Sequence, residues 1–113
     1  MSANFYAWLP SLPLDPAAKS FGDDVEALYA KAEAPHPKLL EFVGALLERH
    51  PDLDGSNNTC WAAGPLRDEI LGGFINVAVA WRQADEAWAF FRQTAHAHGL
   101  VCYDPQMGRL YPP

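Results

Sequence analysis

Alternating large and small side chains mark one strand near the middle of the chain. Over residues 74–81 the large apolar residues share one parity, and small or polar residues occupy the other: Ile75, Val77, Val79 and Trp81 against Asn76, Ala78 and Ala80. A period of two is typical of a strand that buries one face. We therefore predict a strand over 74–81 whose four large side chains, Trp81 included, lie in the core.

The pattern becomes helical directly after Trp81. Apolar residues then recur every three or four positions, at Ala84, Ala87, Trp88, Phe91 and Ala95. Gly99 ends this helix, because glycine accepts the left-handed conformation common just past a helix C-terminus. The apolar run 100–103 is typical of a further strand. A crossover that contains a helix joins parallel strands, so we expect 100–103 to run parallel to 74–81, with the helix on the Ile75 face.

The N-terminal half contains one strand and two helices by the same criteria. The aromatic run 4–9 is typical of a strand, and the proline-rich segment after it is typical of a loop. A helix is predicted from Asp23, because acidic residues favour its first turn and an apolar stripe follows. Pro37 is suited to the first position of a second helix over 38–50, which carries a stronger apolar stripe.

Short elements complete the chain. Residues 52–58 are rich in turn formers, and 59–63 are predicted to form a short edge strand. After the strand at 100–103, Asp104 is expected to accept hydrogen bonds from the following backbone and to hold a turn. Residues 109–111 then fold back as a last short strand.

The order of elements predicts an α+β fold in a single domain over residues 1–113. It matches a ferredoxin-like βαββαβ single-sheet sandwich with a split first helix and a short C-terminal β extension. The central strands of that topology are its first and third, and here these are the two most apolar, 4–9 and 74–81. A different strand order, in which the C-terminal pair forms its own hairpin, is the alternative.

Charge and composition narrow the classes of function. The net charge of −6 argues against nucleic acid as a partner, because phosphate contacts require a basic surface, and it suits a basic protein partner. No apolar run is long enough for a membrane helix, and the N-terminus lacks a secretory signal pattern, so a cytoplasmic protein is expected. The two cysteines, Cys60 and Cys102, are expected to be reduced, buried thiols.

No set of residues indicates catalysis, a cofactor or a metal. His96, His98 and Cys102 carry zinc-binding side chains, but imidazoles two positions apart on a helix point in different directions. The alternative to a zinc site is a purely structural role, in which the histidines complement the helix dipole and the Cys102 thiol packs in the core. Cys60 lacks the local sequence of a catalytic cysteine, and the acidic pair Asp68 and Glu69 is typical of a solvated loop.

Aromatic residues provide the strongest indication of a binding surface. The residues predicted to contact a partner are Tyr6, Trp8, Trp61, Asp68, Glu69, Phe74, Asn76 and Asp104. If Tyr6, Trp8 and Phe74 lie on an open sheet face, they form an aromatic patch of the kind that anchors interfaces. The loop over 10–21, or a second copy of the chain in a homodimer, is the alternative cover for that face.

The C-terminal segment resembles a family of bacterial proteins. The run HGLVCYDPQMGRLY at 98–111, together with CWAAGP at 60–65, is similar to small immunity proteins encoded beside toxins of contact-dependent and type VI secretion systems. The resemblance covers about a third of the chain, through the motif GL-x-x-YDPQ. It implies an acidic, catalytically inert cytosolic protein that binds a cognate toxin and blocks its active site or docking surface.

Two functions from different classes follow as hypotheses. The first is a toxin-neutralising immunity protein that steers towards its toxin with acidic side chains and anchors the contact with aromatic ones. The second is a small dimeric ferredoxin-like enzyme or ligand-binding domain with a pocket between sheet and helices. A buried cavity lined by His96 or His98 with Cys102, together with an ordered small molecule, would favour the second.

Overall fold

The structure is a computed structural model that describes residues 2–53 and 59–113. The strands in this part of the chain are β1 (Ser2–Trp8), β2 (Ile70–Leu71), β3 (Phe74–Ala80), β4 (Val101–Asp104) and β5 (Arg109–Tyr111). The α-helices are α1 (Phe21–Lys31), α2 (Pro37–Arg49) and α3 (Ala84–Ala97), and short 3-10 helices span Leu66–Glu69 and Trp81–Gln83. The turn predicted at 52–58 falls mostly on residues 54–58, outside the described residues.

The five strands form one antiparallel sheet in the order β2-β3-β1-β4-β5. β1 pairs with β3 over its whole length and with β4 through Tyr6, Ala7 and Trp8. Because β3 and β4 are both antiparallel to β1, they run parallel to each other on its two sides. The predicted α+β class and the predicted direction of the strand at 100–103 are therefore confirmed.

The main core lies between one face of the sheet and helices α2 and α3. Phe5 of β1 packs on α3, with its ring centroid 4.9 Å from that of Trp88 and 5.6 Å from that of Phe91. Phe91 in turn meets Phe42 of α2 edge-on at 5.2 Å. Three β3 residues are fully buried in the same core: Ile75, Val77 and Val79. Their predicted burial, and the predicted packing of α3 on this side of the sheet, are confirmed.

The prediction that Trp81 belongs to this core is wrong. β3 ends at Ala80, which pairs with Ser2 at the start of β1. After Ala80 the chain leaves the sheet. Trp81 therefore begins a short 3-10 helix that leads into α3, and its side chain is 53% exposed.

The second face of the sheet is covered from within by α1. The ring centroid of Phe21, the first residue of α1, lies 6.1 Å from that of Trp8 and 5.7 Å from that of Tyr103. Trp8 stacks on Phe74 at 6.2 Å, and both are buried. Burying a large aromatic side chain contributes about 2 kcal/mol, which favours a covered face. Internal covering is thus the correct alternative, and an exposed patch that includes Trp8 and Phe74 is wrong.

The two N-terminal helices lie on opposite faces of the sheet, so the predicted split helix on a single face is wrong. α1 covers the Trp8 face and contains no fully buried residue, whereas α2 packs in the main core through Leu39, Phe42, Val43 and Leu46. The link between them passes the end of the sheet. There the Gly72 N–H donates to the Glu33 carbonyl, and the His36 N–H donates to the Gly72 carbonyl.

The edge strand predicted at 59–63 is also wrong. Within this segment, the described residues form a single bridge, between Trp61 and Val79, whose two backbone hydrogen bonds hold the segment beside β3. The second strand is instead β2, which a tight turn joins to β3. Gly72 supplies the positive φ of that turn, +59°, which costs glycine little because it has no Cβ.

Candidate functional site

The eight residues predicted to contact a partner do not form one surface. Trp8, Trp61, Phe74 and Asp104 are buried, whereas Tyr6, Glu69 and Asn76 are partly exposed and Asp68 is exposed. The sheet register brings four of them together, since Tyr6 pairs with Asn76 and Trp8 with Phe74. That group faces α1, so its contacts are internal. Partner binding by these residues stays a prediction, and their burial favours a different contact surface.

Polar contacts tie the Tyr6 group to α1. The Asn76 side-chain amide donates a hydrogen bond to the Tyr29 hydroxyl at 3.2 Å. Burial is the main cause that raises the pKa of the Tyr6 hydroxyl, and the nearby Tyr29 and Tyr103 add to the effect. The hydroxyl therefore stays protonated. These groups hold the helix on the sheet.

The acidic pair lies in the 3-10 helix before β2. Asp68 is exposed, and Glu69 is partly buried. Burial raises the pKa of the Glu69 carboxyl, and the neighbouring charge of Asp68 adds to that effect. Asp68 is the one exposed residue among the eight, and it lies in the 3-10 helix rather than on a strand of the sheet.

The largest exposed apolar side chains identify a surface that the sequence analysis missed. Among residues 2–53 and 59–113, four large apolar residues are exposed: Tyr29 (47%), Trp81 (53%), Met107 (63%) and Leu110 (49%). Trp81 and Met107 line one cleft of about 400 Å³ between the start of α3 and the β4–β5 turn. We call it the Trp81 cleft. Its other lining residues are Ala3, Ala84, Asp85, Trp88, Asp104, Gln106 and Arg109. The change of period at Trp81 was the signal in the sequence that could have placed this residue outside the sheet.

The Trp81 cleft combines aromatic, thioether and carboxylate groups with one guanidinium, that of Arg109. Two tryptophans line it, and the ring of Trp88 also contacts Phe5, so the cleft is anchored to the main core. Asp85 adds an exposed carboxylate from the first turn of α3. Aromatic faces beside a carboxylate can hold the cation and the alkyl stem of a lysine or arginine side chain. Met107 can adapt to irregular apolar shapes, because its side chain is flexible and polarisable.

Hydrogen bonds of the β4–β5 turn build one wall of the cleft. Asp104 Oδ1 accepts from the Gln106 backbone N–H at 2.9 Å and from the Met107 N–H at 3.4 Å, as expected for a turn held by this residue. The Gln106 side chain then pairs with both backbone groups of Asn4, at 2.8 and 2.9 Å. The Gln106 side-chain amide thus makes the hydrogen bonds to β1 that a further residue of β4 would make, and it fixes the turn to the sheet.

The histidines and the second cysteine do not converge on one point. His98 bonds through Nδ1 to the Thr94 carbonyl at 2.9 Å, which ties it to its own helix. His96 and Cys102 instead line a second cleft, of about 280 Å³, with Arg92, Gln93, Leu100, Tyr111 and Pro112. We call it the Arg92 cleft. Within the described ranges, no three His, Cys, Asp or Glu side chains are grouped closely enough to hold a metal ion.

The thiols of Cys60 and Cys102 have low reactivity. Both are free and buried, and burial raises the pKa of Cys60 to about 11 and that of Cys102 to about 12. Only a thiolate is a good nucleophile or metal ligand, and both groups remain protonated at neutral pH. The raised pKa of the Cys60 thiol is therefore unfavourable for a catalytic nucleophile.

Comparisons with known proteins identify no relative of this chain. No protein-family profile, curated protein or solved structure matches this chain. None of the helices in the described residues has the length and apolar character needed to cross a bilayer. The function therefore has to be argued from the clefts, the charge and the C-terminal segment.

Replacing Asp104 tests the structure of the turn. Asp104→Ala removes the acceptor for two backbone N–H groups and should lower the free energy of unfolding by about 1 kcal/mol, as for a lost cap. Asp104→Asn keeps an oxygen in the same place and should cost less. Urea denaturation of both variants measures this. Unchanged stability of Asp104→Ala combined with lost partner binding would make the turn a recognition element instead.

Thiol reactivity tests the burial of Cys60 and Cys102. At pH 8, a thiol with pKa near 8.5 is about 25% thiolate, whereas one with pKa near 11 is about 0.1%. We expect a chromogenic disulfide reagent to react at least ~100-fold more slowly with the folded chain than with the chain in urea. Because the folded state holds these protons more tightly, stability should fall as pH rises above about 9. Comparable rates in the two states would contradict burial of the thiols.

Proposed function

We propose that the chain is a toxin-neutralising immunity protein, acting in the cytoplasm, that binds and blocks a cognate bacterial effector. The C-terminal segment at 98–111 supports this through its resemblance to such proteins. The absence of a reactive thiol among Cys60 and Cys102 agrees with an inert binding protein. The proposal requires a surface suited to a protein partner, and the Trp81 cleft has the required features.

Exposure of Trp81 is the observation that carries the proposal. Tryptophan is highly buried on average, because its large ring gains much from leaving water, so a ring that is half exposed is suited to burial by a partner. At protein interfaces, tryptophan is among the residues that most often dominate the binding energy. Here its exposed ring lies beside Met107, which is 63% exposed, above a cleft that a partner side chain can enter.

The charge of the chain indicates a basic partner. The chain has a net charge of −6, and Asp85 contributes an exposed carboxylate to the cleft itself. A basic partner would be attracted at long range, and complementary charge mainly raises the rate of association. We propose that a lysine or arginine of the effector enters the Trp81 cleft, with its alkyl stem against the tryptophans and its cation near Asp85. Asp68 and Glu69 remain predicted secondary contacts.

We further infer that the fold is a variant of the ferredoxin-like arrangement, extended by β5. In support, β1 and β3 are neighbours at the centre, with β4 beyond β1 and β2 beyond β3. The placement of α1 on the opposite face departs from that pattern. The second candidate function, a ligand-binding domain, has its own support in the Arg92 cleft, which His96 and Cys102 line together.

Replacing Trp81 tests the proposed surface. With the product of the neighbouring gene as partner, Trp81→Ala should weaken binding at least ~30-fold, the effect of losing an interface hot spot. Its free energy of unfolding should change by less than about 1 kcal/mol, because the side chain is exposed. Co-purification and titration calorimetry give the affinity, and rescue of cells expressing the effector gives the biological result.

Tyr29→Ala is the matched control for Trp81→Ala. Tyr29 is an aromatic residue of similar exposure, 47%, but it lies on α1 over the other face of the sheet. Its replacement should change affinity less than about 3-fold, as for a residue outside an interface. Equal losses from the two variants would contradict the Trp81 cleft as the contact. Failure of the wild-type chain to bind or protect against any neighbouring gene product would overturn the immunity function.

A further inference from the structure

The Arg92 cleft is distinct from the surface proposed for the effector. It is formed by one face of the C-terminal half of α3 and by the ends of β4 and β5. Arg92, Gln93 and His96 share that face, because residues three and four positions apart on a helix are neighbours. Of the residues named as lining the Trp81 cleft, none lines this one.

The side chains divide the Arg92 cleft into a polar rim and an apolar floor. The rim carries hydrogen-bond donors from Arg92, Gln93 and His96, and the floor consists of Leu100, Cys102, Tyr111 and Pro112. The lining contains no aspartate or glutamate, although the chain as a whole has a net charge of −6. This cleft is therefore locally basic on an acidic protein.

Arg92 is held in place without using its hydrogen-bond donors. Its guanidinium carbon lies 4.7 Å from the ring centroid of Tyr111, in a cation–π contact. The one ion pair within the described residues joins Lys38 and Glu41, and no hydrogen bond from the Arg92 side chain to the described protein is found. A guanidinium positioned by an aromatic ring presents a planar fork of donors that matches a carboxylate.

We propose that the Arg92 cleft binds a small organic carboxylate with an apolar body. The carboxylate pairs with the Arg92 guanidinium, the Gln93 amide and the His96 ring N–H bond to its oxygens, and the apolar body lies on Leu100 and Tyr111. A volume of about 280 Å³ falls at the small end of ligand pockets and suits about ten non-hydrogen atoms.

Other ligand classes fit this cleft less well. A metal ion lacks a ligand set, because the lining offers one imidazole and one buried thiol and has no carboxylate. Inorganic phosphate would use the rim but would leave the apolar floor in water. A carboxylate with a ring or branched chain uses both parts. The negative end of the α3 dipole disfavours an anion beside His96, which lies in the last turn, and the Arg92 guanidinium one turn earlier offsets that effect.

Benzoate is the probe for this proposal, with benzyl alcohol as its neutral counterpart. We expect benzoate to bind the full chain with a Kd of about 1 mM, which is typical of a ligand with so few atoms. In two-dimensional amide NMR, the shifts should saturate and should be confined to the second half of α3, β4 and β5. Benzyl alcohol and inorganic phosphate should each bind at least ~10-fold more weakly, because each lacks one half of the recognition.

Two arginine variants separate the site from general charge effects. Arg92→Met keeps the length of the side chain and should weaken benzoate binding about 10-fold, because it removes the charged fork. Arg49→Met is the matched control, since Arg49 also lies over an aromatic ring, 5.1 Å from the centroid of Phe90, but lines neither cleft. Its affinity for benzoate should equal that of the wild type. If Arg92→Met does not fold, His96→Ala at an exposed position should still weaken binding about 3-fold.

The proposal is overturned by any of three results. The first is the absence of saturable shifts with benzoate, and the second is equal binding of benzyl alcohol or phosphate. The third is an equal loss of affinity in Arg92→Met and Arg49→Met. None of these results depends on the effector, so the carboxylate site and the immunity function can fail separately.

Discussion

Packing of Phe5 against Phe91 is the contact on which the rest of the structure depends. It joins the central strand β1 to α3, and through Phe91 it also reaches Phe42 of α2. The same face of the sheet holds Ile75 and its neighbours on β3 in the core. Because α3 is fixed there, its N-terminal end forms one side of the Trp81 cleft and its C-terminal half forms one side of the Arg92 cleft. Both candidate sites are consequences of one aromatic contact.

The second face of the sheet explains why the proposed binding surface lies elsewhere. Trp8 and Phe74 would make a strong apolar patch if they were open to solvent, but Phe21 and the rest of α1 cover them. α1 has no fully buried residue, so it covers the face with half-buried side chains and a hydrogen bond between Asn76 and Tyr29. Two aromatic residues of the described chain are well exposed, Tyr29 on α1 and Trp81 just after β3, and of these Trp81 lines the proposed partner cleft.

Local patterns in the sequence predict the regular parts of this fold, and long-range pairing decides the rest. Alternation is enough to place Ile75 in the core, and Asp104 is recognisable as a turn residue from its chemistry. Alternation alone extends β3 to Trp81, because the end of a strand depends on the length of its neighbour, which only the paired sheet reveals. The apolar residues at 59–63 predict a strand there. They do not reveal that the turn at Gly72 and Gly73 allows a shorter strand, β2, to pair with β3. The Arg92 cleft required residues from α3, β4 and β5 to meet, which no spacing in the sequence predicts.

A double-mutant cycle on Phe5 and Phe91 tests the central contact most directly. Phe5→Leu, Phe91→Leu and the double variant are compared by urea denaturation, with Phe91→Leu and Phe74→Leu as the control pair on opposite faces of the sheet. Aromatic pairs in contact couple by about 1 kcal/mol beyond their buried area, whereas distant sites add within about 0.5 kcal/mol. The account predicts a coupling of about 1 kcal/mol for Phe5 with Phe91 and additivity for the control pair. Additive losses for Phe5 and Phe91 would contradict it.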